Sequence, residues 1–443
     1  MTRRQILALA GATYANTCEM TCADAPEPSQ SPSAPPGPAD ITLRIGEVTI
    51  ELGPKRSVRT LAYNGQVPGP LLRVNEGQTI AVEVSNDSNE HEIVHWHGLH
   101  IPPDVDGSHE EGTPPVPAHG SRRYAFTATP SGTRWYHSHI MAARNLRRAT
   151  YTGQFGLLVI EPRNGPGRYD LDIPILLHEW EPRIAGDDVE YKLFSINGKM
   201  LGAGEPIRVR QSQRALFRLV NASATMSHRL ALTGHSLEVI AMDGNAVTNP
   251  MKVRSVELGP GERIDAMVEM NNPGVWILGE MDDGQRTGGM GIVVEYADRN
   301  GPPRWVPAPD VPWDYTAFGG REAALDPERR MQLEFKQKGE WWTINGKSFP
   351  HADLLKVRPN LRYRLVFDNQ SAMAHPVHLH RHTFEITRFA GKPSSGVRKD
   401  VVVVPAWRQV EVDFIANNPG ASLFHCHHQH HMDMGFMALM QYE

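Results

Sequence analysis

One unit is written three times along this chain, and that repetition limits the folds open to it more than any other feature. Each copy starts at an Asn-Gly turn, runs through an apolar strand and reaches an Asn ahead of a further apolar stretch. The copies begin at Tyr63 ("YNGQVPGPLLRV"), Ile196 ("INGKMLGAGEPIRV") and Ile344 ("INGKSFPHADLLKV"), and Asn86, Asn221 and Asn369 mark the same place in each. Their far ends repeat as "TPSGTRWYHSH", "NNPGVWILGEM" and "NNPGASLFHCH". "TIAVEVSN", "RALFRLVN" and "RYRLVFDN" alternate apolar and polar residues, which is the period of a half-buried strand. Short strands between turn signals, in a chain with 39 Gly and 35 Pro, predict β-sandwiches. A length of 443 residues is too great for one ordinary domain. The expected organisation is a leader and Pro-rich linker over 1–39, a domain over 40–162, a second over 163–297, a linker over 298–327 and a third domain over 328–443.

The net charge of −5, with no long basic block, argues against a nucleic-acid partner. No apolar run approaches the roughly 18 residues that a membrane span needs. The N-terminus, "MTRRQILALAGA", pairs Arg3 with Arg4 before a short apolar run and resembles a twin-arginine export signal. That reading predicts a periplasmic or secreted protein; a tail with a chance arginine pair is the alternative. Three cysteines exclude a disulfide scaffold. Cys18 and Cys22 precede the expected domains, where pairing, metal binding or neither are all open.

The repeat also shows where particular side chains occur and where they do not. His95 and His97 of the first copy align with His378 and His380 of the third, while the second has Ala231 and Thr233. His137 and His139 align with His425 and His427, opposite Gly279 and Met281 in the middle copy. All three domains need cores, so shared core strands do not explain histidines confined to two of them. Residues i and i+2 of a strand share a face, so each His-x-His pair projects two imidazoles in parallel. Four such pairs supply eight imidazoles to one cavity between the first and third domains. Neutral imidazole is a common ligand for copper, zinc, iron and nickel.

"HCHHQHH", from His425, admits three readings: a surface His-rich tract, a strand that happens to hold histidines, or metal ligands. The four pairs favour the last. The pleat that aims His425 and His427 at the cavity aims Cys426 the other way, so the thiol needs a site of its own. His431 follows after a turn and His375 precedes the third pair, whereas the first domain has Glu92 and Ser138 in place of His375 and Cys426. Two imidazoles, one thiolate and a weak axial neighbour make a trigonal blue-copper site. His428 and His430 alternate out of the ligand set.

The motifs "HWHG", "WYHSH", "HPVHLH" and "HCHHQHH" resemble those of the three-domain multicopper oxidases, the family of laccases and bacterial cuprous oxidases, over residues 40–443. The resemblance implies an all-β chain of three cupredoxin-like Greek-key β-sandwich domains, the second without copper ligands. It implies four coppers: type 1 on His375, Cys426 and His431, and type 2 on His95 and His378. The type 3 pair would use His97, His137 and His427 on one ion and His139, His380 and His425 on the other. The implied chemistry is one-electron oxidation of a reductant at type 1, with Cys426 as the path onward, and reduction of dioxygen to water at the trinuclear cluster. An acid where Asp106 stands would relay protons there; an Asp-Gly turn residue is the competing reading. In the family's spacing Phe436 caps the type 1 site as an axial non-ligand, with Met434 or Met437 as the alternative. Two reductants compete, phenols and aromatic amines in a laccase-like oxidase or Cu(I) in a metallo-oxidase, and a non-enzymatic copper carrier is the reading from another class. The 17 methionines are scattered, with one local group at 432–440, which favours the organic reductant because soft thioethers would be needed to collect Cu(I).

Overall fold

The three marker asparagines occupy one structural position, and much of the architecture follows from it. In this computed structural model, which describes residues 37–443 apart from 166, 187, 321 and 323, the chain forms three cupredoxin-like β-sandwich domains. Arg3, Arg4, Cys18 and Cys22, with the export signal read at the N-terminus, lie outside the described residues. In each domain an early strand runs parallel to the strand that ends at the marker: Ile45 lies opposite Asn86, Leu177 opposite Asn221 and Phe335 opposite Asn369. Each asparagine is at most 1% exposed and begins an Asn-x-Ser turn, accepting the serine N–H at 3.0 Å. Its amide donates across the sandwich, Asn221 to the Leu258 carbonyl at 2.9 Å and Asn369 to that of Val404 at 3.2 Å. Strands Val256–Leu258 and Val401–Val404 belong to the second sheet of their domains, so one buried amide joins the two layers.

The first domain pairs two four-stranded sheets; the middle and last each pair a six-stranded with a five-stranded sheet. Strand Val94–His97 pairs antiparallel with Gly132–Ser138, setting His95 opposite His137. Strand His375–Leu379 pairs the same way with Ser422–Cys426, setting His378 opposite His425. Ala231 opposite Gly279 is the middle-domain counterpart. The register therefore repeats with the sequence.

Between the middle and last domains the chain does more than connect. Tyr315–Phe318 forms a 3-10 turn whose Tyr315 and Phe318 are buried against strands Asn245–Val253 and Lys392–Lys399. The Tyr315 hydroxyl donates to Glu262 at 2.6 Å, and one continuous apolar cluster runs through the middle and last domains across this turn. Proline and glycine made the segment read as a linker; the aromatics Trp313, Tyr315 and Phe318 within it give it apolar area to bury.

Candidate metal centre

All eleven expected ligand residues converge into groups whose donor atoms lie within 4.8 Å of one another: His97, His137 and His427; His139, His380 and His425; His375, Cys426 and His431; and His95 with His378, joined by His97. None is more than 6% exposed. Eight imidazoles come equally from the first and last domains, with His95 and His380 stacked at 4.0 Å and His97 and His378 at 3.9 Å between centroids.

Hydrogen bonds at the outer nitrogens settle which inner nitrogens carry lone pairs. His137 Nδ1 donates to the Ser138 carbonyl at 2.9 Å, leaving Nε2 bare. His97 Nε2 donates to Asp400 Oδ1 at 3.0 Å, leaving Nδ1 bare. Those two bare nitrogens face one another at 3.3 Å. His425 and His380 repeat the arrangement: their Nδ1 atoms donate to the Cys426 carbonyl and to Asp106 Oδ2, each at 2.9 Å, and their Nε2 atoms face at 3.1 Å. His95 and His378 donate through Nδ1 to the Asp106 and Asp400 carbonyls, at 2.8 and 2.7 Å, and their Nε2 atoms are buried with no partner. Opposed lone pairs repel in a dry cavity unless a cation lies between them. Burial, then the neighbouring imidazoles, depress the pKa of His97, His137, His139, His378, His380 and His425 well below the usual value, and that of His427 to about 3. These rings are neutral, the form a metal needs.

The thiol site lies on the other side of the same strand. Cys426 Sγ stands 3.8 Å from His375 Nδ1 and 3.6 Å from His431 Nδ1, and those nitrogens are 3.2 Å apart. Ser371 Oγ, which donates to Asn369, accepts from His375 Nε2 at 2.9 Å and fixes that ring's tautomer. Burial raises the Cys426 thiol far above its ordinary pKa, so a soft cation that takes the thiolate displaces a proton. Phe436 is fully buried with its ring 5.0 Å from that of His375, in the apolar cluster that holds Cys426. Met437 belongs to a different cluster, with Leu423 and Met432.

Family models described as multicopper oxidase match residues 44–165, 184–290 and 322–443. Multicopper oxidase MmcO of Mycobacterium tuberculosis is 30% identical over 90% of this chain and 86% of its own length. The chain belongs to the multicopper oxidase family. Among solved structures, a multicopper oxidase from Pseudomonas thermotolerans is 25% identical with a TM-score of 0.73, over 92% of this chain and all of the other. Fet3p, described as a multicopper oxidase that functions in iron import, shares the fold with a TM-score of 0.80 at 18% identity, over 91% of this chain and 90% of its own. Membership of the multicopper oxidases implies copper, and the donor set fits it.

Sequence reasoning missed three acids of this multicopper oxidase and a cluster in its middle domain. Asp400 holds His97 by its carboxylate and His378 by its carbonyl, and is itself clamped by Arg263 at 2.5 and 2.6 Å. Asp243 accepts from the backbone N–H of Asp400 and Val401, at 3.2 and 3.1 Å. Glu111 approaches His380 Nδ1 at 3.4 Å while accepting the Leu423 N–H, and burial followed by the charge of Asp106 raises its pKa. In the middle domain His228 and Glu280 hold the positions of His375 and Cys426, with Glu179 as a second carboxylate on the ring. The offset that relates Glu92 to His375, three residues before the aligned pair, would have found His228. Asp433, which follows Met432, accepts the Ala142 N–H at 3.1 Å and a Gln429 N–H at 3.0 Å and so holds a first-domain loop.

Proposed function

We propose that the chain is a laccase-like multicopper oxidase that binds four coppers, exported by the twin-arginine route, with phenols or aromatic amines as reductants and dioxygen as the final acceptor. Type 1 copper is assigned to His375, Cys426 and His431, type 2 to His95 and His378, and the type 3 pair to His97, His137 and His427 and to His139, His380 and His425. Bound there, copper supplies one-electron acceptance at the thiolate site and four-electron reduction of dioxygen to water at the cluster. The protein's own part is to hold these donors bare and rigid, to exclude bulk water, and to bring protons in. Cys426 joins the two sites covalently, because its neighbours His425 and His427 both serve the cluster. Asp106 is fully buried, with Oδ2 on His380 and Oδ1 without a partner, an arrangement suited to a relay rather than to a solvent-facing turn.

The observation that carries the choice of an organic reductant is the burial of the local methionine group. Met432, Met434, Met437 and Met440 are 4%, 8%, 1% and 1% exposed, so these thioethers build core and offer no surface for collecting Cu(I). The test is kcat/KM for a methoxyphenol against Cu(I) on fully copper-loaded enzyme. A preference for Cu(I) would replace this reading with that of a metallo-oxidase.

A further inference from the structure

His431 is 0% exposed, and its outer nitrogen, Nε2, is buried without a hydrogen-bond partner. No reductant, however small, touches the edge of this ligand. What covers it is a second imidazole. The His428 ring lies parallel to that of His431, with centroids 3.7 Å apart and planes within 8°, which is van der Waals contact over the whole face. His428 Nε2 donates to Asp188 Oδ1 at 3.3 Å, and the Asp188 side chain is 56% exposed. The path from buried ligand to solvent therefore runs His431, His428, Asp188.

The stack is held from two sides. Asp188 opens strand Asp188–Glu190, which pairs with Arg183–Ala185 in a hairpin of the middle domain. The next residue, Val189, is 4% exposed and packs with Tyr151 and Ala224, which pins the hairpin in place. On the other side the Gln429 N–H donates to the Ala224 carbonyl at 2.8 Å, fixing the backbone next to His428.

Building on the type 1 assignment above, we infer that His428 is the outer terminus of electron uptake: the reductant meets the His428–Asp188 pair, and the electron crosses the stacked rings to His431. A phenol gives one electron by this route and its hydroxyl proton to solvent water, leaving as a phenoxyl radical, and neither imidazole changes its proton count. Asp188 is a positioning residue that keeps His428 stacked.

The test uses copper-loaded protein under anaerobic conditions. The bleaching of the type 1 absorption is followed in stopped flow with a methoxyphenol and with a neutral ferrocene, beside the absorption spectrum and type 1 potential of each variant. In His428→Ala the blue band should persist while the second-order reduction rate falls by about tenfold or more for both donors. His428→Phe keeps a stacked ring and should return the ferrocene rate to within a few-fold of wild type. A His428→Ala rate equal to or above wild type would make the ring a mere cover, and a phenylalanine variant as slow as the alanine one would remove the stack from the path; either result overturns the inference. A wild-type protein with no blue band would instead overturn the ligand assignment beneath it.

Discussion

Phe436 and His228 show how one side chain can set a property that the ligand list does not contain. A phenyl ring offers no lone pair, so Phe436 against His375 adds no donor to His375, Cys426 and His431 and keeps water out, and a metal held there would be biased toward its reduced form. Phe436→Met adds a thioether donor that favours the oxidised ion, so the type 1 potential should fall and poorly reducing phenols should be oxidised more slowly. A redox titration checks this, and a potential unmoved by Phe436→Met but shifted by Met437→Leu would transfer the axial position to Met437. His228 is a structural counterpart. Burial alone would lower its pKa, but Glu179 and Glu280 overcome that and raise it to about 9. A raised pKa means stability that is complete below about pH 6.5, where the unfolded chain also holds the proton, and that is lost as pH climbs through about 9. The shift corresponds to a few kcal/mol. Denaturant unfolding of wild type should weaken across that window, and His228→Gln should flatten that part of the profile. A profile identical in the two proteins would place the charge elsewhere.

The marker asparagines carry the argument at the level of strands. Each spends its amide on one turn and on two or more carbonyls, including one in the opposite sheet of the middle and last domains, with almost no solvent to replace them. Asn369→Ala leaves those carbonyls buried and bare, at a cost of about 3 kcal/mol or more. It should also loosen Ser371, which holds His375, so type 1 copper retention should drop along with the denaturation midpoint. A midpoint change worth under about 1 kcal/mol would mean the corner is not a structural joint. The same strands explain what was legible in the chain. Period-two alternation and a threefold repeat are local signals, so the His-x-His faces, the opposite aim of Cys426 and the bare middle domain could be read from spacing alone. Asp400, Glu111 and Asp243 could not, since they reach His97, Leu423 and Asp400 respectively from more than a hundred residues away and no period marks them. Asp400 stands beside Lys399 ahead of a four-valine strand, and a charged pair against so apolar a run is the only local hint it leaves.

For the whole molecule, the two metal sites have different mechanical meanings. The thiolate site is built within the last domain, whereas the eight-imidazole cavity takes His95, His97, His137 and His139 from the first domain and His378, His380, His425 and His427 from the last. Imidazole nitrogens of the two domains also meet in that cavity, His139 Nε2 facing His425 Nε2 at 3.3 Å, so a cation bound there would add a bridge to the hold of Asp400 on His97 and of Arg381 on the Ile101 carbonyl. Copper bound only by the folded arrangement adds stability by mass action, about 2.7 kcal/mol when free copper is a hundred times its Kd. The thermal midpoint should therefore fall by several degrees on chelation and return on reloading, with a loss of protection at the boundary between the first and last domains in hydrogen exchange. Cys426→Ser separates the sites: it should lose the blue absorption and the oxidase activity yet keep most of the copper-dependent gain in midpoint, because the cavity between domains is intact. If the midpoint of wild type ignores copper, or if Cys426→Ser abolishes the gain, the cluster does not clamp the two domains together and the stability of the assembly rests on their protein contacts alone.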